Sequence, residues 1–245
     1  MATKGDPPPA VPADAAATSP APPRPVPFED VVDILQTGDL LLFQGENRIS
    51  VEIEIATGSR FSHCAMIIRH GLREVPMIWQ AGPGGIVVDP SEHVKHGGAQ
   101  LGDLREALAL MEDPKYHDTA YLRRLTFERP AGFDDAALAV VAELDGRPFP
   151  SMLGMVEHYV LGRLLHIVTS GKSLFCAELV ARTYMGMGLL PPAPPANGYS
   201  PGSFSVKHTS LPLPGKASLG PEIRIQRPVS PVAPVAPAPP GIKAG

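Results

Sequence analysis

The chain has 245 residues, 44% of them hydrophobic, a formal net charge of −4 and two cysteines. That length allows one sizeable core, and an acidic balance without a sustained Lys/Arg run excludes the electrostatic footprint of a nucleic-acid binder. Two cysteines exclude a disulfide-dense scaffold and a Cys-based zinc cluster, leaving either one bridge or two free thiols.

Residues 1–27 and 228–245 hold half of the 30 prolines and almost no large apolar side chains. Such segments cannot bury enough surface to offset the entropy of ordering, so disordered or polyproline-like tails are expected, open to partner binding. Residues 28–227 are then expected to form one domain. "PFEDVVDILQTGDLLLFQG" begins it, with a short helix carrying Val31, Val32, Ile34 and Leu35, stopped at Gly38, and a buried strand "DLLLF". "ISVEIEIATGS" suits a strand or a helix. "HCAMIIR" is a strand, and "VPMIWQAG" and "GIVVDP" are two more, joined by the turn "GPGG".

"LGDLREALALMED" has helical spacing with Asp103 as a candidate N-cap. "TAYLRRLTF" is a strand. "GFDDAALAVVAELDG" is a helix capped by Asp134 or Asp135 and stopped by Gly146. "SMLGMVEHYVLGRLLHIVTS" places Gly154, His158, Gly162 and His166 on one stripe of an otherwise apolar helix. A largely buried helix is the expectation, an interfacial or lid helix the alternative. "KSLFCAELVARTYMGMG" is a further helix, closed by Gly186 and Gly188. A proline-rich loop, "PPAPPANGYSPGSFSV", follows, and "EIRIQ" is a last strand. Strands early and helices late imply an α+β fold. No leader pattern and no run of membrane-spanning length are visible, which points to the cytoplasm.

The chemistry concentrates at three residues. Ser173 as N-cap would set Cys176 in the first turn of its helix. There the dipole and unpaired backbone N–H groups favour thiolate and can hold an oxyanion. Alone, Cys176 reads equally as a small buried hydrophobe. His63 stands where a polar run gives way to a strand; alone it is a structural histidine. Together they supply what an activated thiol needs, an imidazole to take its proton. Gln80, on the next strand, can accept from the ring and orient it without adding charge. Strand alternation puts Cys64 on the opposite face from His63, away from the site, making it a poor rival nucleophile and a poor disulfide partner. Asp39 reads as a turn residue, Glu178 as a first-turn dipole partner, and Tyr184, Met185 and Met187 as core. His93 and His96 have metal-ligand spacing but no supporting carboxylate or thiol cluster.

"TGDLLLFQG", "GSRFSHCAMIIR", "IWQAGPGGIVVDP" and "KSLFCAELVA" resemble, in that order, the permuted branch of the NlpC-type papain-like cysteine hydrolases. YiiX-like proteins belong to that branch, and lecithin:retinol acyltransferase-like enzymes are more distant members. The resemblance spans about residues 37–190. It implies a circularly permuted papain-like α+β fold, a small antiparallel sheet packed against helices. It also implies Cys176 as nucleophile, His63 as base, Gln80 as third member, and no cofactor or metal. Two departures stand out: Gln80 replaces a frequent Glu, and Phe149 in "GRPFPS" replaces a tyrosine. The implied reaction is attack of a Cys thiolate on an amide or acyl carbonyl through an acyl-enzyme, the substrate being a peptide, a peptidoglycan fragment or an acyl lipid. The rival readings are a non-catalytic binding or scaffold protein keeping the fold, and an exported protein with a Cys64–Cys176 bridge.

Overall fold

Uninterrupted apolar runs become the middle of one sheet. In the computed structural model β2 (Leu40–Gln44), β3 (His63–Ile68) and β4 (Met77–Gly82) lie side by side and antiparallel. Both faces of these strands are covered, which is why they lack polar alternation. The residues described are 24–45, 58–69, 76–84, 97–111, 118–207 and 211–228. Most of both tails, most of "ISVEIEIATGS", the expected strand "GIVVDP", and His93 and His96 lie outside them.

The remaining strands are β1 (Val26–Pro27), β5 (Gly98–Asp103), β6 (Thr119–Arg123), β7 (Leu125–Thr126), β8 (Ser218–Leu219) and β9 (Ile223–Gln226). The main sheet has seven strands in the order β1-β9-β6-β2-β3-β4-β5, while β7 and β8 pair apart. The small antiparallel sheet expected from the sequence is corrected to a larger, mixed one, because β1 runs parallel to β9. Val26 and Pro27, which close that edge, fall in the stretch expected as tail.

The sheet divides the core in two. Leu40, Leu42, Cys64, Met66, Ile68, Trp79 and Ala81 face one cluster, with helices α2 (Phe133–Leu144) and α4 (Cys176–Gly186). Leu41, Phe43, Ala65, Ile67 and Ile78 face the other, closed by α1 (Leu104–Met111) and by Phe28, Val31, Val32 and Leu35. Those last residues form two 3-10 turns, Phe28–Asp30 and Val32–Ile34, in place of the expected helix. A fully buried Leu or Ile contributes roughly 1.5–3 kcal/mol, against about 0–1 kcal/mol for an exposed pair such as Arg147–Glu143. The two apolar clusters therefore hold the fold.

Several ends differ from expectation. Residues 101–103, expected in a helix, are the end of β5; Asp103 does cap α1, accepting from Glu106 N–H at 3.0 Å. The start of α2 is Gly132 at φ 79°, with Asp134 and Asp135 inside the first turn as dipole partners. α4 begins at Cys176, with Phe175 and not Ser173 at the N-cap. α3 (Met152–Leu165), expected to be largely buried, has only Gly162 buried. Its small and polar stripe turns inward instead. The α-carbon of Gly162 lies so close to Asn197 and Gly198 that an added Cβ would stand 2.5 Å from their backbone.

Candidate active site

α4 is anchored across β3 and β4 by polar ties through the core. Trp79 Nε1 donates to Thr183 Oγ1 at 3.0 Å, and Tyr184 Oη donates to the Gly38 carbonyl at 2.6 Å. Leu174 N–H, just before the helix, donates to the Pro148 carbonyl at 2.9 Å. These ties fix where the helix starts, and so where Cys176 stands. It is the first helical residue, with no side chain capping the turn, so the positive end of the dipole is directed at it.

The β3–β4 ladder pairs Met66 with Trp79, Ile67 with Ile78 and Ile68 with Met77. Beyond Met66 and Trp79 the two strands have no paired register, and His63 and Gln80 stand at this open end. His63 and Cys176 lie close enough for each to shift the other's acidity. The His63 Nε2 is 3.0 Å from Gln80 Oε1. Phe43 packs against the ring at 5.5 Å between centroids. Gln80 is buried, which shields its hydrogen bond to His63 from water. Cys176, His63 and Gln80 are thus adjacent.

Cys64 is not where alternation puts it relative to the site. It does lie on the opposite face from His63, but that is the face carrying α4. It lies beside Cys176, close enough to lower that thiol's pKa. Both cysteines are free and buried. The two thiols separate in acidity. Hydrogen bonds from Cys64, with the nearby His63 charge, hold Cys176 well below the usual thiol range against the opposing effect of burial. Burial and its role as donor to Cys176 push Cys64 well above that range. For His63, burial favours the neutral ring, but Cys176, Gln80 and the Asp118 carboxylate outweigh it and raise the pKa. These shifts favour thiolate at Cys176, imidazolium at His63 and a neutral thiol at Cys64.

Asp118 had no signal in the sequence. It precedes β6, whose Ala120 opposes Phe43, which in turn opposes His63. Asp118 is two residues from Ala120 and so shares its side of the sheet. Its Oδ1 is buried without a hydrogen-bond partner, and burial raises its pKa while His63 lowers it. Glu178 stands in the first turn of α4, as expected of a dipole partner, and is fully buried and bound by Arg182 at 2.8 Å, with His158 Nδ1 at 3.6 Å. A cavity of about 120 Å³ reaches Cys176 between Phe175, Tyr199 and the α3 residues Met155, Val156 and Tyr159. Phe149 is partly buried and packs on the same cluster as α4.

No family model matches the chain, and no curated protein matches it. A similar solved structure is that of the metalloprotein yiiX from Escherichia coli O157:H7, 18% identical with a TM-score of 0.43. The match covers 62% of this chain and 66% of that one, just under two thirds of its length. A likeness at that level says nothing about the site. Among the described residues no group of three or more His, Cys, Asp or Glu is placed to hold a metal ion.

Proposed function

We propose that the protein is a cysteine-nucleophile hydrolase of the permuted papain-like kind. The observation that carries the reading is the His63 ring, held by Gln80 through Nε2 and set beside Cys176 closely enough that each shifts the other's acidity. The Cys176 thiolate attacks the carbonyl carbon of an amide or acyl ester. First-turn amides of α4 hold the oxyanion. The His63 imidazolium gives its proton to the leaving amine or alcohol, and the acyl group stays on sulfur. Water then loses a proton to His63 and attacks the thioester, releasing acid and thiolate. Gln80 keeps the ring in the working tautomer. Cys64, as donor to the thiolate, stabilises the charge before attack and does not compete for substrate.

Thiol reactivity tests the reading. Cys176 should react with iodoacetamide at pH 6 much faster than Cys64, and His63→Ala should remove that advantage. Peptide digestion and mass spectrometry read each cysteine separately. Equal rates at the two cysteines would sink the proposal and leave a binding protein in its place.

A further inference from the structure

We propose that the outer face of α3 and the segment after it form a docking surface for an anionic lipid bilayer. The helix is built inside out. Gly154, His158 and Gly162 recur every four residues and turn to the protein, while Leu153, Val156, Val160 and Leu164 recur at spacings of three and four on the other side. Leu153 is 78% exposed, Leu164 69% and Val168 68%, with Leu165 and Ile167 also exposed between them. Side chains of that size and density do not scatter by chance along one helix of a water-facing surface.

The helix cannot roll to hide this face. Gly162 abuts the backbone of Asn197 and Gly198, where no side chain fits. Asn197 Nδ2 donates to the His158 carbonyl at 2.7 Å and to the Ile167 carbonyl at 3.0 Å, locking the helix and the chain that leaves it. The apolar stripe is thus presented outward by design of the inner one.

Charge selects the occupant. Arg163 on the helix, and His166 and Lys172 on the segment that leaves it, are exposed, and Glu157 is the one acid on α3. An apolar stripe with cations at its border fits the plane of a leaflet: the aliphatic groups enter the headgroup boundary and the cations meet lipid phosphates. The proline-rich tails lack the large apolar side chains needed to cover it. The cavity beside Cys176 is walled by Met155, Val156 and Tyr159 of the same helix, so docking would bring the cavity to the lipid surface. The inference does not depend on thiol chemistry.

Flotation of the full chain with vesicles tests it. The protein should float with phosphatidylcholine–phosphatidylglycerol vesicles and several-fold less with phosphatidylcholine alone. Leu153→Ser with Leu164→Ser should weaken binding by about tenfold or more, and Arg163→Glu with Lys172→Glu should abolish the preference for the anionic lipid. Glu157→Gln should strengthen it. Cys176→Ser should float like the parent, which separates this surface from the enzyme reading. Because both leucines are exposed, the variants should keep the parent circular dichroism spectrum. No flotation, or equal flotation of the leucine variant, overturns the proposal. So does sedimentation showing a dimer that the leucine variant dissociates, which would assign the face to a second copy.

Discussion

His63 meets four different influences at one end of the sheet: the thiol of Cys176, the amide of Gln80, the ring of Phe43 and the carboxylate of Asp118. Gln80 fixes the ring but brings no charge; after Cys176, the Asp118 carboxylate is the other charged group that raises the His63 pKa. Asp118→Asn should therefore lower the His63 pKa and, through the weaker imidazolium, raise that of Cys176. The sign follows for the pair. Thiolate is gained as pH rises through the lowered Cys176 pKa, and imidazolium is lost as pH rises through the raised His63 pKa. The ion pair fills the window between, and Asp118→Asn should narrow it from both sides, each limb by up to about one pH unit. The pH profile of Cys176 alkylation reads the acid limb. A profile identical to the parent's would exclude Asp118 from the site. Gln80→Glu should act in the opposite sense on the alkaline limb, by adding a negative charge at the ring nitrogen.

At the scale of elements, α3 shows how a helix can be placed by its smallest residue. Its contact with the turn at Ala196–Gly198 is a backbone approach that only Gly162 permits. Gly162→Ala has the better intrinsic helix propensity by about 1 kcal/mol, yet the added methyl would meet main-chain atoms that cannot rotate away. Overpacking of this kind costs about 1–3 kcal/mol, so packing wins. Urea denaturation should show a net loss of stability, with proteolysis appearing first near α3. Gly98 repeats the logic at the sheet edge: at φ 105° it lies against the Arg147 carbonyl, where an added Cβ would stand at 2.2 Å. That contact lets Ala99 N–H donate to the Arg147 carbonyl, and the neighbouring Pro148 carbonyl accepts from Leu174 N–H in the segment before Cys176.

Across the whole molecule, the site depends on how firmly α4 is held to the sheet. Tyr184 Oη reaches the Gly38 carbonyl from the far end of that helix. Tyr184→Phe removes the donor and leaves a buried carbonyl unpaired, which should destabilise the protein by about 1–3 kcal/mol. Denaturant unfolding measures the loss. The alkylation advantage of Cys176 should survive in the folded fraction, because Trp79–Thr183 and Leu174–Pro148 still place the helix start. Among the described residues no helix is long and apolar enough to cross a membrane, so the exposed stripe of α3 is a surface and not a span.

Local pattern alone determined the central strands, the helices α1, α2 and α4, and the placing of a cysteine at a helix start and a histidine at a strand start. Each of these rests on side-chain spacing within one element, which a linear chain displays. Tertiary structure decided the rest. β5 is diluted by Gly98, Gln100 and Gly102 and exists because β4 and Arg147 offer it hydrogen-bond partners. The direction of α3 could not be read, because its apolar and small stripes are both continuous and only the backbone approach at Asn197 and Gly198 chooses between them. Alternation set Cys64 and His63 on opposite faces, yet the fold brings both beside Cys176. Asp118 joined the group for the same reason: proximity across three strands is a property of register, and register is fixed by pairing, not by the order of residues along the chain.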